Sequence, residues 1–193
     1  MKKRGSLRQS IRSSADDGQI TLFTGMFFLL FLAVLLVSFL QMEMIRSSSR
    51  YAEDALAASG LASALIDVRE YGRTHVLRIQ DENAAYERYQ SALKANLGLD
   101  DNWECDQKKL ISGRVKVENF TIYNVKGDEI EYCRMDLAKP TWQTGKVGGT
   151  FAPNGQMIER TGVYGEISYA VRGIWGFTVQ ARKGKLVDVV GEE

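Results

Sequence analysis

Between Ile20 and Leu40 the chain reads ITLFTGMFFLLFLAVLLVSFL, 21 consecutive residues without a charge. At about 1.5 Å of rise per residue, a helix over this run is roughly 30 Å long, the thickness of a bilayer's hydrocarbon layer. A helix that is apolar on every side needs lipid around it or the middle of a large core. A chain of 193 residues holds one ordinary domain, which takes about 100–150 residues, so the core alternative is weak. A transmembrane segment is therefore expected over residues 19–42.

The flanking charges orient it. Lys2, Lys3, Arg4, Arg8 and Arg12 precede the run, whereas Glu43, Arg46, Arg50, Glu53 and Asp54 after it are mixed in sign. Counting Lys and Arg alone, the N-terminus is expected in the cytoplasm and the rest of the chain outside it. A cleaved secretory signal is the competing reading. Its apolar region runs to about 7–15 residues and leads directly into a small-residue cleavage site. Here the run is longer and leads into VSFLQMEM, and the first small-residue cluster, Ala55 to Ala64, comes several turns too late. Overall the 25 basic residues nearly balance the 24 acidic ones, which gives no reason to expect nucleic acid as a partner.

Residues 1–18 form a polar, Ser-rich, basic leader, expected to be disordered. Beyond the apolar run the helical pattern continues without proline, and residues 43–72 are expected to carry the helix out of the membrane to about Glu70, with Gly72 as its stop. Steps of three and four place Ala52, Ala55, Ser59 and Ala62 on one stripe of small residues. Such a stripe lets backbones approach closely. It suits docking on the attached domain, packing against neighbouring helices, or both on different faces.

The remainder, residues 73–193, reads as an exported α+β domain. Asp81 as a cap, Glu82 in the first turn and Gly98 as a stop define a second, short helix whose face includes Ala85, Tyr89, Ala92 and Leu93. Strand alternation follows in GRVKVENFTIYNV, with a slip near Asn119 and a turn at Lys126 to Asp128 leading into EIEYCRM, a β-hairpin. Residues 138–154 hold both prolines and several glycines and read as a loop with a short edge strand. GVYGEISYAVRGI, FTVQARK and KLVDVV complete an antiparallel sheet with glycine-based turns between them.

Catalytic or ligand chemistry finds little footing. His75 is the sole histidine and no second ligand stands near it, so no metal site and no cofactor are expected. No GxSxG element places a nucleophile. GKVGGT, from Gly145, lacks the Lys-Ser/Thr ending and the following helix of a phosphate loop and reads as a turn. Asn119–Thr121 fits the glycosylation pattern but lies within an apolar strand. Cys105 and Cys133 are the only cysteines, and in an exported domain they are expected to form a disulfide, closing a loop of about 29 residues worth roughly 3.5 kcal/mol by chain entropy, against the alternative of two buried thiols.

A basic leader ending in Gly18, the following QITLF, and an apolar run passing into an Ala/Ser-rich helix and a β-rich domain together resemble the type IV pilin-like proteins. The resemblance is greatest to minor pilins and pseudopilins of tight adherence (Tad/Flp) pili, the TadE/TadG-like group. It implies a pilin-like α+β fold and a structural, non-enzymatic subunit. Its expected partners are the lipid bilayer, other pilin-like subunits, the pilus assembly machinery and a prepilin peptidase cutting between Gly18 and Gln19. It also implies that Phe23 belongs to the helix-packing surface. Pilins usually carry Glu at that fifth position after the cut, and this chain departs from them there. The alternative expectation is a single-pass anchored extracytoplasmic binding domain that enters no filament.

Overall fold

The structure is a computed structural model that describes residues 4–105, 110–135, 140–174 and 176–189, with side chains described from residue 19 onward. The described residues form three helices, α1 (Arg4–Ser63), α2 (Val68–Thr74) and α3 (Glu82–Leu97). They also form six strands: β1 (Glu104–Cys105), β2 (Ile111–Lys126), β3 (Glu129–Arg134), β4 (Trp142–Lys146), β5 (Gly162–Arg172) and β6 (Thr178–Asp188). The class is α+β, with one long apolar helix near the N-terminus and an antiparallel sheet. Two compact units divide the chain, Met1–Glu43 and Met44–Glu193, and α1 contributes to both.

In the first unit α1 begins at Arg4, so the leader expected to be disordered is helical backbone instead. No proline or helix-stopping cap separates the leader from the apolar run, which lets one hydrogen-bond ladder extend back through it.

The second unit is a sheet of order β4-β3-β2-β5-β6, with β1 added to the start of β2 and every pairing antiparallel. The β2–β3 hairpin turns on two residues, with Lys126 opposite Glu129 and Gly127 at φ 61°, a left-handed position that glycine takes at no steric cost. The slip expected near Asn119 is a register shift between Val117 and Asn119 against β5. Past it, Phe120 and Ile122 on β2 and Val163, Ile167, Tyr169 and Val171 on β5 join one buried cluster with α1 and α3. Each large side chain there removes enough apolar surface from water to contribute about 1.5–3 kcal/mol. A second cluster of Tyr123, Ile130, Ala152, Ile158 and Tyr164 forms on the other face, where the segment following β4 folds over it.

α3 forms as its caps dictate. The Asp81 carboxylate accepts from Ala84 N at 2.9 Å, and Gly98, at φ 61°, donates back to the last carbonyls. Ala85, Tyr89, Leu93 and Leu97 are its buried face.

Four expectations about the elements need correction. The helix expected to reach Glu70 ends at Ser63, because Asp67 starts a new one: its carboxylate accepts from Arg69 N and Glu70 N, and its own N–H donates to Arg78 O at 2.9 Å. Gly72 lies inside α2, and the stop falls to His75, left-handed at φ 55°, whose N–H donates to Tyr71 O. The 43–72 segment, expected to be continuous helix, is interrupted after Ser63, and from Met44 on it belongs to the same compact unit as the sheet. Gly184, expected at a turn, is an internal position of β6 opposite Glu166, where the Tyr164 ring occupies the space a Cβ would need.

Candidate functional site

The feature that distinguishes this chain is α1, and its two parts differ in chemistry. From Ile20 to Leu40 every side chain except the half-buried Val37 is exposed, including Phe23, Phe27, Leu29, Leu36 and Phe39. Two hydroxyls in the run do not need water: Thr24 donates to Ile20 O at 2.9 Å and Ser38 to Val34 O at 2.8 Å. A surface so apolar, with its polar atoms satisfied inside the helix, meets the condition for a segment in lipid. The helix is long and apolar enough to cross a membrane and is compatible with single-pass anchoring. Gly18 and Gln19, expected to flank a processed bond, both lie in helical backbone, and Gln19 is exposed.

From Met44 onward α1 is a structural member of the domain. Ala52, Ala55, Leu56, Ser59 and Gly60 are buried. The stripe, for which docking on the attached domain, packing against neighbouring helices, or both were expected, faces its own sheet and α3, and only Ala62 of its four residues is exposed. The small side chains are what permit this approach. At Gly60 a Cβ would come within 2.8 Å of Val187 Cγ2 on β6. Ser48, Ser59 and Ser63 are fully buried, and their hydroxyls return to carbonyls of the same helix at 2.6–2.8 Å. Polar ties fix the position: Tyr51 donates to Asn96 O at 2.8 Å and Asn96 Nδ2 to Ser59 Oγ at 3.3 Å.

Sequence reasoning missed the electrostatic tie. Glu53 receives Lys183 and Lys185 of β6, both at 2.8 Å. Hydrogen bonds from Lys183 and then Lys185 pull its carboxyl down to about 2. The available signal was the Lys-x-Lys alternation around Gly184, which puts both ammoniums on one sheet face.

A second missed device is Asn124. Its amide accepts from Ile79 N at 2.9 Å and donates to Ile79 O at 3.1 Å, so one buried side chain completes the backbone pairing of a segment that lies in no strand. Thr161 adds to this by donating to Leu77 O and accepting from Val125 N, both at 2.9 Å.

On the sheet face away from the helices, Arg182 donates to Glu166 through Nε and, at 2.9 Å, through Nη2. Ser168 and Lys116 both donate to Glu118, whose carboxyl is held below its ordinary range by the Ser168 hydrogen bond first and the Lys116 bond second. Asn119 is buried and its side chain accepts from Thr121 at 2.7 Å, so the glycosylation pattern there is folded into the sheet.

The two cysteines are buried and not joined to one another. Cys105 Sγ lies 3.7 Å from Leu97 O, at the end of α3, and Cys133 Sγ lies 3.9 Å from Met135 Sδ. The expected disulfide is not formed in the structure, and the two sulfurs share one core. His75 packs edge-on to Tyr71 with ring centroids 5.8 Å apart and borders a shallow groove of about 490 Å³ that also includes Lys126, Glu159 and Arg160. Among the described residues no three His, Cys, Asp or Glu side chains converge as metal ligands. The Gly145–Thr150 stretch closes as a turn, with Gly149 N and the Thr150 hydroxyl both donating to Lys146 O.

These features define an α+β domain carried on one long apolar helix. No family model matches the chain, and no curated protein or solved structure is significantly similar to it.

Proposed function

We propose that this chain is a single-pass, non-enzymatic, pilin-like subunit that helps assemble a type IV-related filament of the tight adherence (Tad/Flp) kind. Its N-terminus would be cytoplasmic and its domain extracytoplasmic. The observation that carries this reading is the division of α1: one half apolar and open on all sides, the other built into a sheet domain through small residues. A subunit of this design can exchange lipid for other apolar helices along its first half while its domain stays intact. Phe23 lies on that open surface.

The processing step is tested by N-terminal sequencing of the detergent-extracted protein from cells that contain a prepilin peptidase. A mature chain starting at Gln19 is expected, and an intact Met1 would overturn processing. Incorporation is tested by shearing surface filaments from the cells and probing them for this chain; its confinement to the membrane fraction would overturn the filament reading.

The burial of Ala52, Ala55 and Ser59 in the chain's own core favours a second reading, a membrane-anchored extracytoplasmic binding domain that joins no filament. It predicts an unprocessed chain, absent from sheared filaments, that remains with the membrane.

A further inference from the structure

Hairpin turns are ordinarily polar, since they face water and favour Gly, Asn, Asp and Ser. The β2–β3 turn follows that rule with Lys126, Gly127, Asp128 and Glu129. The β5–β6 turn does not. Between Arg172 and Thr178, which pair with each other, Phe177 is 75% exposed and Ile174 45%, and Val179 beside them is 43% exposed. Leu110, 41% exposed, lies at the same end of the sheet, because its neighbour Ile111 pairs with Val171.

Contacts within the domain show which end this is. Tyr169, opposite Ala181, lies beside Ser48 and Ser49; Lys183 and Lys185 bind Glu53; Val187 lies against Gly60. Advancing along α1 thus means advancing along β6, and β6 starts at the apolar tip. The tip therefore lies at the end of the domain where α1 enters it. Only three residues, Gln41 to Glu43, separate the apolar run from Met44, the first residue of the domain. The chain thus passes from the apolar run into the domain at this end and not at the charged β2–β3 turn.

We propose that the β5–β6 tip, with Phe177 and Ile174 leading and Val179 and Leu110 beside them, inserts into the interfacial layer of the bilayer and forms a second membrane contact. The inference rests on the reading that residues 19–42 span a membrane. Interfacial burial of apolar side chains with a cation beside them is the general chemistry of such contacts. Exposed Arg172 supplies the cation next to anionic headgroups. The contact restrains the domain at a point remote in sequence from the span and leaves its opposite end facing water.

The test uses the full chain in vesicles of phosphatidylcholine and phosphatidylglycerol, with the photoreactive residue p-benzoylphenylalanine replacing either Phe177 or, as control, Asp128. After irradiation, lipid adducts at position 177 are expected to exceed those at 128 by about tenfold, the population ratio that burying one Phe side chain supports. With the probe moved to position 174, Phe177→Asp should lower lipid capture while the circular dichroism spectrum is unchanged. Equal capture at 177 and 128, or capture of a second copy of the chain in place of lipid, overturns the proposal. Carbonate extraction of the same vesicles reads the spanning helix separately: release of the chain overturns the anchoring reading and this one with it, whereas retention without capture at 177 overturns only the tip.

Discussion

Tyr89 is fully buried on α3, its hydroxyl has no hydrogen-bond partner, and it occupies the space above Gly165 of β5. Burial pushes its ionisation well above the ordinary phenol range, so it stays neutral throughout physiological conditions. The ring does the packing, 4.6 Å from that of Phe120, and the hydroxyl adds only a desolvation cost. Tyr89→Phe is accordingly expected to leave stability unchanged or to raise it by about 1 kcal/mol, read by denaturant unfolding of the detergent-solubilised chain. Gly165→Ala is expected to do the reverse and destabilise by about 1–3 kcal/mol, since the new methyl meets ring carbons that cannot withdraw from a packed core. Sequence alone offered Tyr89 as a face residue of a helix but not its opposition to Gly165, because that contact depends on how helix and sheet are stacked. Cys105 and Cys133 teach the same lesson. Two cysteines in one core are compatible with a bridge, and which neighbour each sulfur has is not written in their spacing.

α3 and the β2–β3 hairpin were legible because their signals are local: Asp81 and Gly98 at the helix ends, and Gly127 at the turn. The end of α1 was not, because it depends on Asp67 pairing with Arg78 and capping α2, partners that no helical periodicity reveals. The stripe on α1 was legible as a close-packing surface, whereas its partner was not. That separation makes a sharp test. Ala55→Leu is expected to cost about 1–3 kcal/mol by overpacking, while Ala62→Leu, exposed, should stay within about 0.5 kcal/mol in the same unfolding assay. The tie from α1 to β6 carries a pH signature. Glu53 ordinarily titrates near 4.5 and in the folded chain at about 2. The folded form thus favours the carboxylate, and the stabilisation is fully present above pH 4.5 and is lost as pH falls towards 2. The carboxylate is partly exposed, so solvent screens the pair and the amplitude is small. Glu53→Gln is expected to abolish this part of the acid sensitivity, seen as convergence of the two chains' unfolding midpoints between pH 5 and pH 2.

At the scale of the molecule, an α+β class and a long apolar helix were readable from composition and periodicity, since a 21-residue uncharged run leaves few alternatives. The packing of α1 from Met44 onward into the domain was not, for it is written in contacts between distant residues. The apolar half of α1 leads to the expectation that the chain stays with the membrane through carbonate washing and leaves it only in detergent. Deleting residues 20–40 should let a carbonate wash release the remainder to the soluble fraction, where a chain still found in the pellet would contradict a single spanning segment. The pairing of α1 with β6 also bears on biosynthesis. Glu53 and Lys185 are 132 positions apart, so the first packed segment of the domain meets its partner only when the last strand has been made. While the ribosome is still translating, the Ala52–Gly60 surface has α3 beside it but no strand of β6 to lie against. A nascent chain already held at its N-terminus must therefore keep that surface sheltered, by a chaperone or by transient burial, until synthesis has passed Val187.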